Sequence, residues 1–361
     1  MSLLELRTQI EALDEQVLHL LNQRAGLAME VGHVKAGLGQ PPFVPGREVQ
    51  VLERIQRLNV GPLPATAIRA IYQEIISSCR NLEHPVTVAY LGPAATWSHL
   101  AARQQFGETA QYEPLYSIAE VFAAVETGRQ DFGLAPVENS TAGAVGDTLD
   151  ALAETSLTIC AEVLFQIHFS LVSKEADLSD IQRVYSLPIA AEQCRRWLNH
   201  HLPHAEIRDA PGDASSTAHA AQKAAAEPHS AAIANRAAAE AYGLESLFDR
   251  IEDTASNTTR FFVLGKNGNE PSGRDKTSLM FAVPHRPGSW NTALRGLEKN
   301  GVNLTMINSR PTKQMPWEYV FFVDVQGHAR EERLAAAMAE MKLQCAFLRI
   351  LGSYAEAGER G

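Results

Sequence analysis

Arg24 stands where an apolar residue is due. Leu6, Ile10, Leu13, Val17, Leu20, Leu27, Val31 and Val34 recur at steps of three and four, and position 24 is the gap in that series. A cation inside a core stripe is strongly unfavourable unless an anion meets it. Lys35 lies about 20° away from Arg24 around an ideal helix, so the two cations share one face. Two readings are open at this point: a buried Arg–Glu pair between helices, or a pocket for an anionic ligand. Arg7 precedes Arg24 by roughly 25 Å of helix, too far for both to grip one small ligand from one chain. If all three serve one pocket, Arg7 comes from a second copy. Further along, polar clusters occur at Gly92–Ser98, Pro136–Gly143, Ser215–Ala218 and Asn257–Phe261. The first three directly precede expected helices, where free N–H groups and the helix dipole favour a carboxylate. Ordinary N-capping by Ser and Thr is the competing reading.

The elements that must position these groups fall into three segments with three periods. Up to about His84 the chain reads as helix, and no Pro interrupts it before Pro41. A helix of about 35 residues cannot bury its stripe within so small a unit, so it needs a partner chain. A second helix carries Val49, Leu52 and Ile55, and a third carries Ile68, Tyr72, Ile76 and Cys79 on one face. From Val86 short apolar runs alternate with Ala-rich helices. Expected strands are Val86–Leu91, Phe132–Val137, Thr158–Leu164 and Phe261–Leu264. Expected helices are Ser98–Phe106, Ile118–Thr127, Val145–Glu154, Ala190–His201 and Ser215–Ala226. This alternation predicts an α/β domain. A polar stretch from Asn267 to Lys276 reads as a linker, and the rest follows the ferredoxin-like order strand, helix, strand, strand, helix, strand.

Composition excludes several classes of function. The 361 residues carry 32 basic and 42 acidic side chains, a net charge of −10, with no Lys/Arg-rich run, which argues against a nucleic-acid partner. No uncharged apolar stretch is long enough to span a membrane, and Glu5, Arg7, Glu11, Asp14 and Glu15 leave no room for a signal-peptide core. Cys79, Cys160, Cys194 and Cys345 are isolated, as expected of free thiols in a reducing compartment rather than of a zinc or disulfide framework. A cytoplasmic location is expected.

The run Leu3-Leu4-Glu5-Leu6-Arg7, with Ile10 to Asp14, Arg24, Lys35 and Arg47-Glu48, resembles the all-helical chorismate mutase domain. That resemblance implies an intertwined dimer that rearranges a dicarboxylate, chorismate, to prephenate. Arg24 and Arg7 of a second copy would hold the carboxylates, and Lys35 would donate to the ether oxygen. Glu48 would bind the ring hydroxyl, with Arg47 in support. Three positions depart from the pattern: Val44 where an acidic residue occurs, Cys79 for Ser, and Glu83 for Gln. A glutamate at 83 donates to the ether oxygen only when protonated, so the mutase should work best at acidic pH.

The middle segment resembles the prephenate dehydratase domain through Gly92-Pro93 to Ser98, Pro136 to Gly143, Tyr185-Ser186-Leu187-Pro188 to Gln193-Cys194, and Thr259-Arg260-Phe261. It departs at Ala95, Trp97, Leu187 and Ile189, where that family shows Gly, Phe, His and Gln. The resemblance implies two α/β subdomains around a cleft, like a periplasmic binding protein. Thr259 would donate to the leaving hydroxyl. Thr96, Ser98, Asn139, Ser140, Thr141, Ser186, Gln193 and Arg260 would bind substrate, and Arg260 has an equally good structural reading. Glu138 would orient its loop, and His99 reads as an exposed residue of a first helical turn.

The C-terminal segment resembles an ACT regulatory domain that binds phenylalanine. The motifs are Pro287-Gly288-Ser289-Trp290, Asn308-Ser309-Arg310-Pro311 and Trp317 to Asp324, with Ser289 and Asn308 as departures. Together these resemblances imply a bifunctional enzyme of phenylalanine biosynthesis with domains at 1–84, 85–266 and 277–361, needing no cofactor or metal and forming a homodimer or higher homo-oligomer. A non-catalytic sensor, or a mutase with an inactive middle domain, are the rival readings.

Overall fold

A computed structural model of the chain describes residues 1–38, 43, 45–210, 216–312 and 319–357. It divides into two compact units, residues 1–87 with 106–111, and residues 88–105 with 112–361.

The first unit contains three helices, α1 (Leu3–Gly37), α2 (Pro45–Leu58) and α3 (Ala65–Glu83). A capping box starts α1: Glu5 N donates to Ser2 Oγ at 3.2 Å and Ser2 N donates to Glu5 Oε2 at 2.7 Å. Pro64, extended and without a donor to lose, sits just before α3. α3 packs on both other helices and buries Ile76, Ser77, Cys79 and Arg80. The α1 stripe is left open by this packing, with Leu13, Leu20 and Leu27 exposed by 58%, 61% and 63%.

The second unit is built on three sheets. In its first lobe lie β1 (Thr87–Leu91), α4 (Trp97–Phe106), β2 (Gln111–Leu115), α5 (Ile118–Glu126), β3 (Phe132–Asn139), β4 (Gly143–Ala144), α6 (Gly146–Glu154) and β5 (Thr158–Gln166). The second lobe holds β6 (Ser170–Ser173), β7 (Arg183–Ser186), α7 (Pro188–Gln193), α8 (Arg195–His201), β8 (Glu206–Asp209), α9 (Thr217–Ala226), β9 (Ser230–Ala234), α10 (Arg236–Tyr242) and β10 (Glu245–Asp249). The chain then returns as β11 (Thr258–Gly265) to close the first sheet, in the order β2-β1-β3-β11-β5. β1 and β3 run parallel, while β11 is antiparallel to both β3 and β5. Two adjacent crossings therefore join the lobes, and Ile167 N on one donates to Asn257 O on the other at 2.8 Å. This is the architecture of a periplasmic binding protein.

The remaining elements are β12 (Asp275–Ala282), α11 (Ser289–Lys299), β13 (Leu304–Pro311), β14 (Tyr319–Gln326), α12 (Glu332–Lys342) and β15 (Phe347–Ala355), a ferredoxin-like domain with sheet order β13-β14-β12-β15. Period-two alternation gives the sheet two different faces. Leu279, Phe281, Val323 and Val325 pack under the two helices. Met280, Phe322 and Tyr354 share a core with Ile159, Phe262 and Leu264 of the first lobe. At Gly352 a β-carbon would lie 2.2 Å from Ile159 O, so only glycine lets β15 approach β5 this closely.

Several sequence expectations need correction. Ala190–His201 is two helices, because Cys194 leaves helical geometry at φ −113°, ψ 12°. The segment from Asn267 to Lys276 is no free linker: Asn269 is buried and donates to Cys160 O at 2.7 Å and Ser353 O at 3.0 Å. β11 begins at Thr258 rather than Phe261, which puts Thr259 inside a strand. Residues 139–143 form the turn between β3 and β4, and α6 starts only at Gly146. His99 is half-buried, its ring stacked on Tyr90 at 4.7 Å and its Nδ1 accepting from Ala95 N at 3.0 Å. Ser216 does what capping predicts, accepting from His219 N at 3.1 Å.

Candidate functional site

In the first unit three helices bring four of the expected residues together. At Gly32 a β-carbon would meet Glu83 Cβ at 2.9 Å, and this close approach of α1 and α3 sets Lys35 Nζ 3.8 Å from Glu83 Oε2. That oxygen is buried and has no hydrogen-bond partner among the described residues. Arg24 Nη1 donates to Ile75 O at 3.4 Å. Glu48 enters from α2, and burial raises its pKa against the opposing pull of Arg80, Lys35 and Arg24. Cys79 is buried one turn before Glu83 on α3.

An Arg–Glu pair is present, but its cation is Arg80, which sequence reading missed, and not Arg24. Arg80 Nη1 bonds Glu48 Oε1. Its one signal in the sequence is a charge directly after Cys79, on a face otherwise held by Ile76 and Cys79. Arg7 is exposed on the first turns of α1 and is not brought to Arg24 within the chain. Arg47 is exposed too, its Nη1 3.3 Å from Gln50 Oε1. Val44 lies outside the described residues.

In the second unit Thr259 on β11 stands opposite Asn139 on β3. Asn139 Nδ2 donates to Thr259 Oγ1 at 2.8 Å and to Asn257 Oδ1 at 2.8 Å. Its Oδ1 accepts from Thr141 N, Thr141 Oγ1 and Ala142 N at 3.0, 2.6 and 3.0 Å. From the second lobe Gln193 Nε2 reaches Thr141 Oγ1 at 2.5 Å, and Asn257 Nδ2 donates to Gln193 Oε1 at 2.9 Å. The ring Asn139–Asn257–Gln193–Thr141 thus ties both lobes to Thr259. Asn257 was seen only as part of a polar cluster; its position in a lobe crossing makes it the pivot. Because Asn139 donates to Thr259, the threonine hydroxyl keeps its own proton to give to a ligand.

Other expected residues support this frame rather than face it. Ser140 Oγ donates to Ser256 O at 2.9 Å and accepts from Thr258 N at 3.0 Å, which fixes the crossing. Thr96 Oγ1 lies 3.1 Å from Leu91 O and 3.0 Å from Pro93 O, and Ser98 is buried. Ala95 O accepts from Asn235 Nδ2 of the second lobe at 2.8 Å. Ser186 is buried and donates to Leu187 O at 2.9 Å. Leu187 packs on the second lobe's core while Ile189 is exposed.

Arg260 is not brought to this cleft. It follows Thr259 on a strand and so points to the opposite face. There its Nε meets Glu162 Oε2 at 2.7 Å, its Nη1 meets Asp324 Oδ2 at 2.5 Å, and its Nη2 donates to Tyr354 OH at 3.0 Å. Lys276 Nζ adds a second cation 3.0 Å from Glu162 Oε1.

The C-terminal motif residues divide between two faces. Gly288, left-handed at φ 79°, starts α11, and with Ser289 and Trp290 it lines a cavity of about 440 Å³ that Phe321 and Phe347 complete. Pro287 precedes it and is exposed. Ser309 pairs with Phe321, and Pro311 ends the strand; both are exposed. Asn308 and Arg310 lie on the other face. Asn308 Nδ2 is 3.0 Å from Met306 Sδ, and Arg310 grips Asp150 of α6 through Nε at 2.8 Å and Nη2 at 2.9 Å. Trp317 and Glu318 lie outside the described residues.

Three known families match successive parts of the chain. Residues 6–84 match the chorismate mutase type II family, 88–269 prephenate dehydratase, and 277–341 the ACT domain. The chain is 43% identical over 357 residues to the bifunctional chorismate mutase/prephenate dehydratase of Aquifex aeolicus, covering 98% of each. It is 42% identical over 351 residues to the protein of the same description from Neisseria gonorrhoeae, covering 96% of this chain and 95% of that one. The crystal structure of prephenate dehydratase from Arthrobacter aurescens in complex with L-Phe superimposes with a TM-score of 0.69 at 37% identity, covering 75% of this chain and 90% of that one.

Proposed function

The chain belongs to the family of bifunctional chorismate mutase/prephenate dehydratases, and from that premise we propose which of its residues carry each reaction. It rearranges chorismate to prephenate and converts prephenate to phenylpyruvate. In the mutase, Arg24 and Arg7 of a second copy bind the two carboxylates as charge-assisted pairs. Lys35 donates to the ether oxygen that gains negative charge as the C–O bond breaks while the new C–C bond forms. Glu83, beside Lys35, can donate to the same oxygen only in its neutral form, and Glu48 accepts from the ring hydroxyl. Restraint of the reactive conformer and this charge stabilisation suffice, since the electrons move in one cycle. The observation that carries the reading is the convergence of Arg24, Lys35, Glu48 and Glu83 from three helices.

In the dehydratase, the departing carboxylate leaves as carbon dioxide and its C–C electron pair enters the ring. The ring hydroxyl leaves from the far carbon and takes up a proton to become water. Thr259 donates a hydrogen bond to that leaving oxygen, in an orientation set by Asn139. Gln193 and Thr141 hold the two lobes around the substrate. Arg260 serves as an ion-paired anchor between β11 and the regulatory sheet, not as a carboxylate ligand.

Phenylalanine is read as binding the cavity at Gly288–Trp290 and inhibiting the dehydratase. Support comes from the ACT match and from the L-Phe complex of the Arthrobacter aurescens protein. The mutase is read as a dimer because the α1 stripe is exposed and Arg7 is remote from Arg24. A cytoplasmic location accords with four free cysteines. Mixing inactive Arg7→Ala and Arg24→Ala proteins under conditions that exchange subunits should restore mutase activity. No recovery after verified exchange would remove the cross-chain assignment.

A further inference from the structure

We propose that Arg80 is a positioning residue of the mutase, fixing Glu48 as a charged acceptor with one oxygen held and the other free for the substrate's ring hydroxyl. Arg80 is 5% exposed and its guanidinium is held from several sides. Nη1 bonds Glu48 Oε1, and Nη2 donates to Phe106 O at 2.5 Å. The plane lies over Phe43, with Cζ 4.4 Å from the ring centroid, and Cζ is 5.9 Å from the centroid of Phe106. A cation so fixed is not available to a substrate carboxylate.

The need for it follows from the charges that face Glu48. Arg24 and Lys35 look at it from α1, and Arg80 looks at it from α3. Glu83 adds a second carboxyl beside Lys35. A bound substrate brings two carboxylates and claims Arg24 and Lys35 for itself. Glu48 is then a buried carboxyl beside a dianion, and burial already favours its neutral form. Arg80 is the cation that stays with Glu48 throughout, and its grip on one oxygen fixes where the other points.

The inference rests on the reading of Glu48 as the acceptor for the ring hydroxyl, and the test separates the two. Mutase kcat/KM is followed against pH for the full chain, Arg80→Met, Arg80→Lys, Glu48→Gln and the Arg80→Met/Glu48→Gln double variant. Dehydratase turnover of prephenate monitors folding. Arg80→Met should lose about tenfold or more relative to the parent near neutrality, with the ratio of variant to parent rising toward alkaline pH and the acid limb moved up by about one pH unit. Arg80→Lys should shift the limb less. In the Glu48→Gln background, removal of Arg80 should change kcat/KM by less than about threefold, because the residue it acts through is gone. An Arg80→Met profile matching the parent, or a loss equal at every pH and repeated in full in the Gln background, would overturn the proposal. Should Arg80→Met fail to fold, an Arg80→Lys limb coincident with the parent overturns it. Glu48→Gln with unchanged kcat/KM would instead remove the role of Glu48, and this inference with it.

Discussion

Replacing Asn139 with Asp exchanges one atom and inverts the polarity of the dehydratase site. Asn139 Nδ2 supplies hydrogen bonds of 2.8 Å to both Thr259 Oγ1 and Asn257 Oδ1. An ionised aspartate only accepts, so Asn257 Oδ1 loses its donor and the Thr259 hydroxyl turns its proton onto the new carboxylate. That charge-assisted bond is worth about 1.5–3 kcal/mol and must be given up before the proton reaches the leaving hydroxyl. At about 1.36 kcal/mol per tenfold, dehydratase kcat/KM should fall about 10- to 150-fold. Protonating the aspartate restores one O–H donor, so the ratio of variant to parent should rise as pH falls. The measurement is phenylpyruvate formation from prephenate across the pH range, with mutase turnover in the same preparation as control. Activity within about twofold of the parent, with a parallel pH profile, would refute the argument that Asn139 frees the Thr259 proton.

Arg260→Met should strand the buried carboxylate of Asp324 and leave Glu162 with Lys276 as its remaining cation, at a cost of about 3–5 kcal/mol. Calorimetry should show the thermal transition of the second unit lowered by on the order of 10 °C, and less so at acidic pH, where the stranded carboxylate takes up a proton. Glu83→Gln should hold or raise mutase kcat/KM near neutrality and flatten its decline toward alkaline pH, because an amide donates at any pH. A profile unchanged by the substitution would place Glu83 outside the chemistry. Phenylalanine should give a saturable change in Trp290 fluorescence, since that ring borders the cavity and is 37% exposed. Absence of binding by calorimetry at millimolar phenylalanine would refute the sensor role.

The fold was legible wherever a hydrophobic period was long. The α1 stripe, the β3 and β5 runs and the six elements of the ferredoxin-like domain all carry one. The second lobe was mostly missed because its core is made of small residues. Ala218, Ala220, Ala221 and Ala224 of α9 pack with Ala232 and Ala234 of β9, and such strands leave little apolar contrast to read. At the sites, residue types were legible and directions were not. Thr259 and Arg260 are adjacent in one motif, yet strand alternation sends one to the Asn139 network and the other to the regulatory sheet. Asn308 and Arg310 share a motif with Ser309 and face away from it for the same reason. The role of Arg80 is not legible from its one signal, a charge beside Cys79, because its partners, Glu48 and the Phe106 carbonyl, are remote in sequence and depend on how the helices meet.

Two separable sites in one chain, acting in succession, can be told apart by supplying chorismate to the purified parent, Arg24→Ala and Thr259→Val proteins and following prephenate and phenylpyruvate together. The parent should yield phenylpyruvate. Thr259→Val should accumulate prephenate at the parent's mutase rate, with phenylpyruvate formation cut about a hundredfold or more. Arg24→Ala should leave chorismate untouched while still converting added prephenate. Phenylpyruvate forming at the parental rate in Thr259→Val, or chorismate consumed at the parental rate in Arg24→Ala, would contradict the account.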